Sequence, residues 1–158
     1  MAHASYPSLC GRCLQVAGNG FVCGALTPVC WPDDASSKNV SDPSGRTFLF
    51  SLINTHGRPV KLRLKDGDCT FALCLHGGWG PGFGGGADLC LMQQGRPANS
   101  NNGCCVYPES FELDHAAESA AGLPPIPFAY DKTLLAGGDG QEEEYVEFAA
   151  AEVEMYQL

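Results

Sequence analysis

"GWGPGFGGGADLCL", residues 78–91, decides between two folds. Inside it, Gly80-Pro81-Gly82-Phe83-Gly84-Gly85 has the G-x-G-x-x-G spacing of a dinucleotide-binding turn. A turn of that kind leaves a parallel strand and opens a helix, whose first amides hold the pyrophosphate. Here the glycines run into "DLCLMQ" (88–93), a short segment with strand character. An acid about twenty residues further on would serve the ribose. Position 105 onward offers Glu109, beyond a cysteine pair and without βαβ surroundings. No Gly-Lys-Ser/Thr follows the run either, so it is not a Walker loop. The glycines therefore read as a link between two strands, where a missing Cβ permits close backbone approach and unusual φ/ψ.

The flanks read the same way. "SLCGRCLQV" (8–16), Gly18-Asn19-Gly20 and "FVCGALTPV" (21–29) predict a hairpin, its turn supplied by Asn-Gly and the flanking glycine. Residues 33–46, rich in Ser, Asp and Pro, predict a loop. "TFLFSLIN" (47–54) is apolar on both faces and predicts a central strand. "VKLRLK" (60–65) alternates, with Val60, Leu62 and Leu64 inward and Lys61, Arg63 and Lys65 outward. "CTFALCLH" (69–76) returns after the Asp66-Gly67-Asp68 turn, with Cys69, Phe71, Leu73 and Leu75 on one side. The expected core contains Phe48, Phe50, Leu52, Phe71 and Leu73.

Later segments carry weaker signals. Residues 108–122 suit a helix, with Pro108 near its start and Gly122 just past its end. "GLPPIPF" breaks both helix and sheet ladders. The end of the chain alternates Glu152 and Glu154 against Val153 and Met155, which predicts a terminal strand. Six or seven short strands with hairpin spacing give a mainly β fold (α+β class): a two-sheet antiparallel β-sandwich with few peripheral helices. At 158 residues, one domain spanning 1–158 is the natural expectation.

Charge is uneven. Residues 1–100 carry eight Lys/Arg against six Asp/Glu, a balance of +2, and residues 101–158 carry Lys132 against twelve acids, a balance of −11. So acidic a C-terminal third repels phosphate backbones, and no nucleic-acid partner is expected. A solvated acidic face is the plain reading of those charges. The first thirty residues hold no uninterrupted apolar run of the signal-peptide kind, and no stretch approaches the ~18 apolar residues of a membrane span. No membrane span and a cytoplasmic or similarly reducing compartment are expected.

Nine cysteines occur: Cys10, Cys13, Cys23, Cys30, Cys69, Cys74, Cys90, Cys104 and Cys105. An odd count in a reducing compartment does not suggest a closed disulfide framework. Only Cys10-x-x-Cys13 has zinc-ligand spacing, and strand alternation would turn its two thiols to opposite faces. No metal and no cofactor are expected, and most of the thiols are assigned to the core. One constellation could be reactive: Cys74-Leu75-His76 puts a thiol and an imidazole on one strand face, where a base could generate a thiolate. His56 in a turn and His115 in the helix are expected at the surface. No G-x-S-x-G, H-E-x-x-H or P-loop occurs, and Asp66-Gly67-Asp68 lacks the glutamate of a calcium loop, Gly77 standing at its twelfth position. No catalytic residues are expected.

Several of these segments, in order, resemble the TLDc domain (TBC/LysM-associated domain) of the oxidation-resistance proteins. They are "TFLFSLIN", "LCLHGGWGPGFGGGADLCLMQQGRPANSNNG", "LLAG" and "FAAAEVEMYQL", preceded by "PSLCGRCLQVAGNGFVCGALTPVCW". The resemblance spans about residues 7–31, 47–103 and 131–158. The family's earlier helices, a Tyr-x-x-x-x-Asp-Gly segment and a Phe-x-x-x-Cys have no counterpart, so an N-terminally shortened domain is expected. Residues 104–130 read as a divergent Pro/Ala/Glu-rich insert. The resemblance implies a two-sheet sandwich without catalytic residues and a role in resistance to oxidative stress. It also implies a protein partner, the vacuolar proton-pumping ATPase, which several family members bind and regulate. A cytoplasmic location, with mitochondrial or nuclear pools, goes with it. Gly80, Gly82, Gly84, Gly85, Gly86 and Asp88 would then form a structural glycine loop that shapes a surface. The alternative is a thiol-based peroxide scavenger acting through Cys74, or a cysteine-rich metal binder.

Overall fold

The alternation of 60–65 sets the sidedness of the main sheet. In the computed structural model Val60, Leu62 and Leu64 are buried, while Lys61 is exposed and Arg63 and Lys65 are half-buried. The structure describes residues 10–17, 20–31, 38–54, 56–66, 69–76, 80–85, 88–90, 103–106, 110–124 and 146–157. Within them lie β1 (Cys10–Ala17), β2 (Val22–Cys30), β3 (Lys38–Val40), β4 (Phe48–Ile53), β5 (Val60–Leu64) and β6 (Leu73–His76). β7 (Gly80–Phe83), β8 (Leu89–Cys90), β9 (Gly103–Val106), β10 (Phe111–Leu113), α1 (His115–Ala120) and β11 (Val146–Gln157) complete the order.

Two antiparallel sheets result. The larger has the strand order β10-β5-β4-β2-β1-β11-β9 and the smaller β3-β6-β7-β8. One apolar cluster joins them: Cys23, Ala25, Leu49, Val60 and Leu62 from the large sheet pack with Leu73, Leu75, Phe83 and Leu89 from the small one. Each fully buried Leu or Phe side chain contributes roughly 1.5–3 kcal/mol relative to exposure, so this shared layer holds the sheets face to face. The mainly β class is thus the observed one, with a single α-helix among the described residues.

Trp31 ties the end of β2 to the small sheet. Its indole N–H is shared between the carbonyls of Cys74 (3.1 Å) and Gly82 (3.2 Å). Its ring meets Phe83 edge to face at 5.1 Å. A buried indole needs such an acceptor, and the T-shaped contact adds to burial.

The structure corrects several expectations. β4 buries Leu49 and Ser51, whereas Phe48 and Phe50 are half-buried and Leu52 is exposed. The reason is register: Leu49 lies opposite Ala25 of β2 and Leu62 of β5, both on the buried face. Phe48 and Phe50 pack on the outer face instead, where the Lys61 ammonium sits 5.0 Å from the Phe48 ring centroid. Phe71 and Cys69 are not core residues either. Residues 69–71 form a 3-10 turn, both side chains are exposed, and the strand begins only at Leu73.

The segment 33–46 is not wholly a loop, because Lys38–Val40 pairs with β6 as an edge strand. Three residues carry no readable period, so that strand exists through tertiary pairing alone. Residues 108–122 are not one helix. Phe111–Leu113 pairs with β5 and buries Phe111 and Leu113, leaving α1 only His115–Ala120. The divergent region 104–130 therefore contributes part of β9, all of β10 and the helix. Asp114 caps the helix by accepting from the Ala117 amide at 3.0 Å. Its end follows the sequence: Gly122 has φ 67°, and the Gly122 and Leu123 amides donate to the Ser119 and Glu118 carbonyls. The predicted strand 88–93 is observed as Leu89–Cys90; residues 91–93, Pro108 and 125–145 lie outside the described residues.

The acidic C-terminal third is only partly a solvated face. Arg63 pairs with Glu112, Lys61 with Asp114 at 3.0 Å, and Arg58 with Glu118 at 2.9 Å. Antiparallel pairing of β5 with β10 sets Glu112 opposite Arg63, and Asp114 and the helix that follow β10 bring the other two acids to Lys61 and Arg58. Arg58 also donates to the Pro124 carbonyl, which fastens the helix exit to the β4–β5 turn. Glu118 is buried; its second oxygen makes no hydrogen bond, with His115 Nδ1 3.4 Å away.

Asp42 anchors the approach to β4. Its carboxylate accepts from the amide and hydroxyl of Ser44 and from those of Thr47. Burial pushes the Asp42 carboxyl up, but the four hydrogen bonds outweigh it and hold it below its ordinary value of 3.8. A depressed folded value means the stabilisation is complete above the unfolded value and is lost as pH falls through the lower folded one. The difference in urea midpoint between the wild type and Asp42→Asn is therefore expected to be constant from pH 5 to 7 and to shrink below about pH 4. A midpoint difference that grows on acidification would contradict the assignment.

Candidate functional site at the glycine loop

β7 leads into the glycine run. Gly82 and Phe83 pair with Cys90 and Leu89, so the run links two antiparallel strands, and the described element that follows it is a strand and not a helix. The G-x-G-x-x-G spacing thus occurs without the strand–turn–helix setting a dinucleotide needs. The amides are also directed inward. The Gly84 N–H donates to the Ala72 carbonyl at 3.3 Å and the Gly85 N–H to the Ser110 hydroxyl at 3.0 Å. In a phosphate-binding turn those groups would point at the ligand.

Beneath the turn lies Asp88, fully buried. Its carboxylate accepts from the Ser110 amide at 2.9 and 3.0 Å and from the Phe111 amide at 3.0 Å. Carboxylates that accept several backbone N–H groups are strongly held, and removing one strands buried donors. Ser110 therefore closes a small network in which its amide binds Asp88 and its hydroxyl binds Gly85. It fixes the start of β10 against the glycine turn. Sequence reasoning missed Ser110. The only available signal was its place directly before the alternating Phe111-Glu112-Leu113.

The turn depends on one glycine in particular. Gly84 has φ 85°, in the left-handed region. A Cβ there would lie 1.9 Å from Asp88 Oδ2. Gly85 has no positive φ; a Cβ there would meet the Phe71 ring, 2.7 Å from Cδ1. Gly80 and Gly82 lie within β7, with Gly82 buried under Trp31, and Gly86 lies outside the described residues. Gly84, Gly85 and Asp88 are thus brought together at one corner, where the small sheet meets β10.

Cys74 lies in β6 with 8% of its surface exposed, and its register partners are Asn39 and Gly82. His76 ends the same strand. His56 and His115 are exposed. Among the described residues no three His, Cys, Asp or Glu side chains gather as metal ligands, and no helix is long and apolar enough to cross a membrane. No family model, curated protein or solved structure matches the chain.

Proposed function

We propose that this chain is a non-catalytic, TLDc-like protein-interaction module that acts in resistance to oxidative stress by binding the vacuolar proton ATPase. The supporting observation is the glycine corner. The run that resembles the family's glycine loop is tied from within by Asp88 and Ser110, with its Gly84 and Gly85 amides already bonded inside the protein. Such a loop presents a shaped surface more readily than it holds a phosphate. Two antiparallel sheets around a shared core accord with the architecture that the resemblance implies. The scavenger reading places its nucleophile at Cys74, whose burial restricts access to a peroxide.

The test compares cells expressing the chain or its Cys74→Ser variant at matched levels of folded protein. The expected result is peroxide survival that Cys74→Ser leaves intact, with co-precipitation of vacuolar ATPase subunits by both proteins. Loss of survival in Cys74→Ser with folding unchanged would replace this reading by the thiol one. Failure of the folded protein to capture any ATPase subunit would remove the partner.

A further inference from the structure

The β1–β2 hairpin carries a feature that is independent of that reading. Its pairing is regular from Val16 opposite Val22 to Gly11 opposite Thr27, and then jumps to Cys10 opposite Cys30. A continuous register would have put Pro28 opposite Cys10. Instead Pro28 and Val29 bulge out of β2, with the Thr27 hydroxyl accepting from the Val29 amide at 3.2 Å. A bulge re-aims the strand that carries it, and here it brings a second cysteine into register with the first. Other cysteines on the strands lie opposite different residue types: Cys13 opposite Ala25 and Met155, Cys23 opposite Gln15 and Ser51, Cys74 opposite Asn39 and Gly82. The same holds for Cys90, Cys104 and Cys105.

Residues directly opposed on antiparallel strands have Cα atoms about 4.5 or 5.5 Å apart. A disulfide requires Cα atoms roughly 4.4–6.8 Å apart, so the register alone meets that condition. Cys30 is exposed, as is Cys69, whereas Cys23 and Cys74 are buried. An oxidant in solution therefore reaches Cys30 before it reaches those core thiols.

We propose that Cys10 and Cys30 form a dithiol site that takes low-molecular-weight disulfides, represented by glutathione disulfide, and closes to a cross-strand disulfide. The Cys30 thiolate attacks one sulfur of glutathione disulfide and expels a glutathione thiolate. The Cys10 thiolate then attacks the Cys30 sulfur of the mixed disulfide and expels the second. The two protein thiols lose two electrons and two protons, and one glutathione disulfide becomes two glutathione molecules. The new bond fastens β1 to β2 at the bulge, where their regular pairing stops. β1 in turn carries β11 and β9 in the sheet order, so that three of the seven strands of the large sheet are fastened with it.

The test equilibrates the full chain with glutathione and glutathione disulfide over a series of ratios, up to glutathione disulfide alone, then traps the remaining thiols by alkylation. Trypsin separates residues 1–12, with Cys10 their one cysteine, from 13–38, which holds Cys13, Cys23 and Cys30. The expected product is a cross-link between these peptides that fragmentation assigns to Cys30, with alkylation of Cys10 and Cys30 lost in parallel. Cys30→Ser, at an exposed position, is expected to keep the fold by circular dichroism and to lose the cross-link. A cross-link that uses Cys13 or Cys23, or persistence of both thiols in glutathione disulfide alone, would overturn the proposal. So would stable glutathione adducts at Cys30 that never resolve onto Cys10. The peroxide-survival and co-precipitation results do not enter this outcome, so either proposal can fail without the other.

Discussion

Gly84→Val is expected to destabilise the protein by about 3–5 kcal/mol, a large share of the roughly 5–15 kcal/mol that holds a typical domain folded. Two independent effects act together. Position 84 has φ 85°, and a β-branched residue held there costs roughly 1–3 kcal/mol. Its Cβ would also stand 1.9 Å from Asp88 Oδ2, so the carboxylate must leave its place. Doing so strands the Ser110 and Phe111 amides, each bonded to Asp88 at about 3 Å in the native fold. A buried donor without a partner costs roughly 1–3 kcal/mol. Gly45→Val is the control: its φ is 62°, but nothing lies within 4 Å of its Cβ. Urea unfolding of both variants separates the terms. Gly45→Val reports the dihedral cost alone, and the excess in Gly84→Val reports the displaced carboxylate. Equal losses in the two variants would show that the Asp88 network contributes nothing at this corner.

The second large effect is expected at β4. Leu49→Ala should cost about 2–5 kcal/mol, the range for truncating a buried leucine whose cavity only partly collapses. Leu49 is fully buried between Ala25 and Leu62 in register. Phe50→Ala should cost distinctly less, because Phe50 stands half-buried on the outer face, opposite Gly24 and Lys61. A sequence reading that favours the larger aromatic side chain ranks the two the other way round. Chemical denaturation of the pair decides it: the larger drop in midpoint at unchanged m-value identifies the core face. A larger loss for Phe50→Ala would mean that β4 is turned over relative to the register described.

Why the sequence left that choice open is a matter of pattern. In "TFLFSLIN" both parities are apolar, so alternation carries no information about which set faces inward. Ser51 makes the reading harder, since it is polar yet fully buried, where Asn54 Nδ2 donates to its hydroxyl at 3.1 Å. In "VKLRLK" the two parities differ in chemistry, and the inward set of Val60, Leu62 and Leu64 followed directly. The neighbouring strand settles β4: once Leu62 is inward, antiparallel pairing carries Leu49 inward with it.

The sequence by itself determined the mainly β class, the β1–β2 hairpin, the sidedness of β5, the end of the helix at Gly122 and the terminal strand. Each of these is a local matter. Two-residue alternation, a turn glycine and a helix-ending glycine act through their immediate neighbours, whatever the rest of the chain does. The sequence also showed that the glycine run joins strands, because the helix a dinucleotide turn requires was missing from the adjacent residues.

Tertiary structure alone decided the rest. β3 and β10 are three-residue strands with no length in which to show a period, and they form because β6 and β5 offer them a partner. The charges of Glu112, Asp114 and Glu118 read as a solvated face until β10 and the helix after it set them against Arg63, Lys61 and Arg58. Gly84, not Gly85, takes the left-handed conformation, and the carboxylate of Asp88 fills the space where a side chain at 84 would stand. That carboxylate is held by amides 22 and 23 residues away, at Ser110 and Phe111. A contact at that separation leaves no periodic trace in the sequence; it exists only once both sheets have closed on their common core.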